Sequence, residues 1–318
     1  MNALFAAGIA TLLVALPVHA LPPRVVDTWT QHGSKPGEVH QPAGIAVDAN
    51  QQVYVTDGEK HCVQEFSSDG TLLAEWGQHG SRSGEFDRPA GIAVTSDGTV
   101  YVADPGNARI QRFTTKGAFL GAWGHHGSKP GEFVQPTYVA VNASGDVFVA
   151  EHAGQRVQRF DATGSLVSVW NAVGPARKTA SGTIAALACD RTGYVYTATR
   201  EPCEVLKFNR DGLYIDSWAL RITDTDAPLC AGAIAVDQHG LVYAMEARAE
   251  RTLLFSPEGQ FLLWWGEPRA TDAPLDQAGA IAVRFPFVFQ VDARHRRIDK
   301  LRFDEFPAET GDQPPRLR

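Results

Sequence analysis

The sequence predicts an all-β protein: a six-bladed β-propeller of four-stranded antiparallel blades, closed by an N-terminal strand that completes the last blade. Three observations lead there. Trp29, Trp76, Trp123, Trp170, Trp218 and Trp265 follow one another at intervals of 47, 47, 47, 48 and 47 residues. Phe66, Phe113, Phe160, Phe208, Phe255 and Phe303 keep the same beat, at 47, 47, 48, 47 and 48. Within one period lie four short apolar runs, GIAV (91–94), VYVA (100–103), RIQRF (109–113) and AFLGAW (118–123). Ser96-Asp97-Gly98 and Thr115-Lys116-Gly117 separate them as turns. A repeat of roughly 40–50 residues holding four strands is the pattern of a propeller blade.

The chain begins with an uncharged apolar stretch over residues 3–18, followed by Val18-His19-Ala20, which places small residues where a signal peptidase reads. Residues 1–20 are therefore expected to be a signal peptide, and the protein periplasmic or secreted. The apolar stretch is shorter than the roughly 20 residues a membrane-spanning helix needs, so no membrane span is expected in the mature chain. Next comes Arg24-Val25-Val26-Asp27-Thr28-Trp29, which has the form of a fourth strand with no preceding three. At the other end the sixth unit stops at Phe303, and the tail 304–318 contains no fourth strand. The two deficits cancel if residues 24–29 pair with the sixth unit, which sets the propeller at 24–303 and removes an open sheet edge.

Composition agrees with many short strands: 44% of the 318 residues are apolar, glycine numbers 30 and methionine only two. The formal charge of −7 argues against a nucleic-acid partner, which calls for clustered Lys and Arg.

Pro89-Ala90-Gly91-Ile92-Ala93-Val94, Val100-Tyr101-Val102-Ala103-Asp104 and Asn107-Ala108-Arg109-Ile110 together resemble the NHL repeat. The resemblance implies a propeller fold. It leaves function open, because NHL propellers include a peptide-amidating lyase, extracellular sensor domains of bacterial kinases, and RNA- or protein-binding modules. For the lyase, the resemblance implies zinc-ligating histidines on the channel-lining strands and a Tyr within an Asp-Gly-Tyr-Cys-Asn run. This chain has Asp57-Gly58-Glu59-Lys60-His61 instead, without that Tyr or Cys, which disfavours the lyase.

Three repeated motifs invite a functional reading. His32, His79 and His126 each open a His-Gly-Ser loop, but equivalent positions in a ring stand apart, and a shared zinc would need them all within about 2 Å of one ion. The loops are expected to be architectural, and no metal site is predicted. Asp57, Asp104, Glu151, Glu246 and Asp292 end second strands, and in four of these blades an Arg follows five residues later, at 109, 156, 251 and 297. That pairing predicts salt bridges and not a ring of carboxylates around a cation. Gly44, Gly91, Tyr138, Ala186, Ala233 and Ala280 align at the start of the innermost strand and should line the channel.

In a meander propeller the loops joining strands one to two and three to four share one face; here they are short and alike. The opposite face carries longer, unequal loops, and recognition tends to sit there. Tyr138, His152, Arg200, Arg248 and Arg294 are the candidate binding residues, suited to an anionic or peptide-like ligand. Cys203 and Cys230 should lie on that face in neighbouring blades as a possible disulfide, with Cys62 and Cys189 left as thiols. The leading functional expectation is a non-catalytic recognition propeller for a protein, peptide or saccharide, with no cofactor. The alternative is a lyase- or lactonase-type enzyme at the channel mouth, holding a divalent metal such as Zn or Ca.

Overall fold

The computed structural model describes residues 21–29, 32–151, 155–172, 183–222, 229–246, 251–266, 279–292 and 295–305. Strand β1 (Arg24–Trp29) stands apart in sequence from the blade it joins. Blade one is β2 (Pro42–Val47), β3 (Val53–Asp57), β4 (Cys62–Phe66) and β5 (Leu72–Trp76). Blade two is β6 (Ile92–Val94), β7 (Thr99–Asp104), β8 (Arg109–Thr114) and β9 (Phe119–Trp123). Blade three is β10 (Pro136–Val141), β11 (Val147–Glu151), β12 (Arg156–Phe160) and β13 (Leu166–Asn171). Blade four is β14 (Thr183–Cys189), β15 (Val195–Arg200), β16 (Glu204–Phe208) and β17 (Tyr214–Ala219). Blade five is β18 (Ala231–Val236), β19 (Val242–Glu246), β20 (Thr252–Phe255) and β21 (Phe261–Trp265). Blade six has β22 (Ile281–Arg284), β23 (Phe287–Asp292) and β24 (Arg297–Arg302), and its sheet runs β1-β24-β23-β22.

The ring is closed as the sequence predicts. Val25 pairs with Leu301, Thr28 with Asp299 and Trp29 with Ile298, antiparallel, with a bulge between Val25 and Asp27. The Thr28 hydroxyl donates to Asp299 Oδ1 at 2.7 Å, and Arg24 Nε meets Asp304 Oδ2 at 3.0 Å. The second strands are largely buried, as strands covered by sheets on both sides must be: β3 and β11 are buried at every position.

The two aromatic series keep one period because each Trp packs onto the Phe of the following blade. Ring centroids are 5.7 Å apart for Trp29 and Phe66, 6.2 Å for Trp76 and Phe113, 5.7 Å for Trp123 and Phe160, and 5.8 Å for Trp265 and Phe303. The indoles also explain the turn glycines. Gly70, Gly117, Gly164, Gly212 and Gly259 have φ between +80° and +95° or close to it (+77° at Gly117), and a Cβ at each would stand within 2.4 to 2.7 Å of the preceding blade's Trp ring. A side chain there is excluded both by backbone conformation and by space.

Gly117→Ala separates these two constraints when set against Gly131→Ala, a glycine at φ +85° with nothing near its Cβ. Gly131→Ala is expected to cost about 1–2 kcal/mol for the left-handed backbone alone. Gly117→Ala should cost a further 1–3 kcal/mol or so for displacing Trp76. Urea unfolding of both variants measures the difference, and equal losses would remove the inter-blade stack from the account.

Candidate functional site

The innermost strands enclose an axial channel of about 240 Å³, and all six positions expected to line it, Gly44, Gly91, Tyr138, Ala186, Ala233 and Ala280, do so. The small residues are forced by crowding. A Cβ on Gly44 would lie 2.4 Å from the Ala90 carbonyl oxygen, and one on Gly91 would lie 2.5 Å from that of Thr137. Among the described lining residues the polar side chains are Tyr138 and, toward the far end, Cys189.

The channel opens at two unlike mouths. On the short-turn face the mouth, about 160 Å³, is lined by Asp48, Thr95, Asn142, Asp190, Asp237 and Arg284 with their turn neighbours. The three aspartates there are spent on turns. Asp48 Oδ1 accepts from the Asn50 and Gln52 amides, Asp190 Oδ1 from those of Thr192, Gly193 and Tyr194, and Asp237 Oδ1 from those of His239 and Leu241. Further out, inter-blade ties hold the same face: Lys116 reaches the buried Glu65 at 2.9 Å, and Arg159 bridges Asp146 at 2.8 Å and Asp211 at 2.7 Å.

At the longer-loop mouth Tyr138 and Arg200 come together. Tyr138 lies near the start of β10, and Arg200 ends β15 in the next blade, paired with Thr183. Burial pushes the Tyr138 phenol up to about 12, and the positive charge of Arg200 works against that rise. His152, Arg248 and Arg294, the other candidates, lie outside the described residues. Cys203 and Cys230 form a disulfide with their Cα atoms 4.5 Å apart, tying the loop between β15 and β16 to the entry of blade five. Cys62 and Cys189 are thiols.

The acid–Arg pairing appears in all four blades where both residues occur: Asp104–Arg109 at 2.8 Å, Glu151–Arg156 at 2.9 Å, Glu246–Arg251 at 2.8 Å and Asp292–Arg297 at 3.1 Å. Those of blades two and three serve more than the pair. Arg109 also donates to the carbonyls of Ser81, Arg82 and Glu85, so the bridge fastens the His-Gly-Ser loop to its blade. Blade one, which has Cys62 in place of the Arg, solves the same problem with Lys60. Its ammonium donates to the Lys35 and Glu38 carbonyls and meets Glu75 at 2.9 Å. The sequence pattern at a five-residue offset could not reveal this, because the substitute sits two residues earlier.

The loops themselves are architectural, as expected. Gly33, Gly80 and Gly127 amides donate to the carbonyls of Val39, Phe86 and Phe133, whose side chains are buried. Glu38, Glu85 and Glu132 carboxylates accept the amides of residues 35, 82 and 129. The histidine rings take no part in this framework, and His79 is drawn instead toward His61 and Asp87, a grouping the sequence reading missed.

Folded pKa shifts fix a direction for alkaline stability. Burial raises the Cys62 thiol from an ordinary 9.0 to about 12 and the Tyr138 phenol from 10.0 to about 12. Between those limits the unfolded chain has already lost protons that the folded chain keeps. Stability is therefore full below about pH 9 and falls as pH rises toward 12. Urea midpoints at increasing pH should decline in that window, and a flat profile would contradict the burial of both groups.

These features define a closed six-bladed β-propeller with a narrow, small-residue channel and two dissimilar mouths. The NHL repeat matches residues 40–66 and 86–113, within blades one and two of this propeller. Among curated proteins no sequence match is found. Solved structures share the fold. A streptogramin B lyase is 14% identical with a TM-score of 0.59, over 89% of this chain and 88% of that one. A gluconolactonase from Xanthomonas campestris is 16% identical with a TM-score of 0.59, over 89% and 98%. A Bacteroides thetaiotaomicron protein of unknown function is 16% identical with a TM-score of 0.64, over 87% and 75%. Among the described residues no helix is long and apolar enough to cross a membrane.

Proposed function

We propose that this protein is an exported recognition propeller that takes a protein, peptide or saccharide ligand at the longer-loop mouth of its channel. The contrast between the two mouths supports this reading most. On the short-turn face the strand-end carboxylates are engaged with turn amides, and the opposite mouth carries a phenol and a guanidinium from adjacent blades. Arg200 suits a carboxylate or other anionic group on the ligand, and Tyr138 offers an apolar ring with a hydroxyl at its tip. His152, Arg248 and Arg294 belong to loops of the same class and are proposed to complete the surface. The Cys203–Cys230 disulfide fits export to an oxidising compartment.

A metal-dependent lyase or lactonase at the channel mouth calls for convergent ligands, and the three aspartates at the short-turn mouth, Asp48, Asp190 and Asp237, are engaged with turn amides. Recognition without turnover is the better reading. Peptide and glycan arrays probed with the wild-type chain, Arg200→Ala and Arg191→Ala test it, because Arg191 lies at the opposite mouth. Bound ligands should lose signal with Arg200→Ala, keep it with Arg191→Ala and emerge chemically unchanged by mass spectrometry. Signal indifferent to Arg200, or a cleaved ligand, would overturn the proposal.

A further inference from the structure

His61, His79 and Asp87 bring one ligand atom each to within 4.8 Å of one another at the junction of blades one and two. His61 follows β3, and the other two come from the loop that enters blade two. Ring centroids of the two histidines are 4.5 Å apart, and His79 Nε2 stands 3.9 Å from Asp87 Oδ1. None of the three lines the channel.

Two of the three are held in place by the fold. The Asp87 amide donates to the buried Asp104 carboxylate at 2.7 Å, and its carbonyl accepts from the Gly106 amide at 3.1 Å. Its side chain lies over Gly106, where a Cβ would meet Oδ2 at 2.3 Å, so the carboxylate occupies space that only glycine leaves open. His61 is half-buried, and its Nδ1 accepts the Arg88 amide at 3.0 Å. His79 is the exposed member, with a side chain 70% exposed.

We propose that His61, His79 and Asp87 form a binding site for a single zinc-like divalent ion that bridges blades one and two. Two imidazoles and one carboxylate are the donor set of a late first-row ion and not of calcium or magnesium, which prefer oxygen alone. Three protein ligands leave the fourth tetrahedral position to water. Bonds of about 2.0–2.2 Å bring tetrahedral donors to roughly 3.3 Å from one another, so the three donors, now within 4.8 Å, have to draw together around the ion. His61 must also present an unprotonated nitrogen. With Nδ1 accepting the Arg88 amide, the ring proton of neutral His61 sits on Nε2, and the ion takes the Nδ1 lone pair in exchange for that one amide contact.

The other junctions built on the same loop lack this set, which ties the site to particular residues and not to the repeat. Where blade two meets blade three, His126 is accompanied by Ala108 and Val134 at the corresponding positions. Where blade six meets blade one, Arg296 occupies the position of His61, and both residues share the left-handed backbone, at φ 53° and 55°. There His40 Nδ1 is already engaged by Glu59 at 2.6 Å.

Isothermal titration of the metal-stripped full chain with zinc chloride tests the assignment. One ion should bind per chain. His79→Ala and Asp87→Asn should each weaken it by at least about tenfold, the lower end of what even outer-shell partners of a ligand contribute. His126→Ala should leave it unchanged, and melting curves without metal should match wild type for all three, since none of these side chains is part of the core. Absence of binding at one equivalent, or a His79→Ala titration equal to that of wild type, would overturn the proposal; so would loss of binding in His126→Ala.

Discussion

A chain lacking residues 21–29 is expected to lose cooperative folding and to aggregate. Trp29 is 8% exposed and lies between Phe66 of blade one and Phe289 of blade six, so the first strand joins two blades and not one. It also belongs to a core cluster with Ile45, Val53, Phe289 and Ile298. Trp29→Ala alone should cost about 3–5 kcal/mol, as large-to-small changes at buried aromatics do. Deleting the whole strand also removes its ladder with β24 and exposes that strand's edge, a template for pairing with other chains. The combined loss is comparable to the 5–15 kcal/mol or so that holds a typical domain together. Circular dichroism on heating, with light scattering in parallel, measures both consequences. A sharp transition near the wild-type temperature would mean that β1 is dispensable.

Asp104→Ala is expected to lower stability by about 3–5 kcal/mol, the range seen when one partner of a buried ion pair is removed. Asp104 is fully buried and accepts from Arg109 Nε at 2.8 Å, Gln111 Nε2 at 3.1 Å, Asn107 Nδ2 at 2.9 Å and the Asp87 amide at 2.7 Å. Its loss strands a guanidinium whose side chain is only 14% exposed. Blade four shows that the blade tolerates having neither partner, with Thr199 and Glu204 at the two positions and the Thr199 hydroxyl donating to the Pro202 carbonyl at 2.8 Å. The double variant Asp104→Thr/Arg109→Gln should therefore lose less than Asp104→Ala alone, because no charge is left uncompensated. Urea unfolding of the cycle decides the point. A double loss equal to the sum of the single losses would show the two residues to be independent.

Most of the fold was legible in the sequence because a propeller writes the same physical requirement six times. Trp and Phe recur at one interval since each indole must cover the next blade's ring, and the strand missing from the sixth unit is the one left over at the beginning. The acid and the Arg were readable as a pair for the same reason, and the channel lining followed from aligning the inner strands. What escaped is what does not repeat. Lys60 replaces an arginine from a different position, and only its reach to the Lys35 and Glu38 carbonyls reveals the equivalence. His61, His79 and Asp87 belong to two blades and meet through loop geometry that no periodicity encodes. Asking whether His32, His79 and His126 share an ion was the wrong grouping: the partners of His79 are its neighbours across a junction, not its counterparts around the ring.

The central claim is that the two ends of the chain meet in one blade. Thr28 and Asp299 face each other across that seam, side chain to side chain at 2.7 Å. In a Thr28→Cys/Asp299→Cys variant, mild oxidation followed by peptide mapping without reduction should recover the two new cysteines joined in a single monomeric chain. Recovery of both as free thiols, or joined only between chains, would contradict the closed ring.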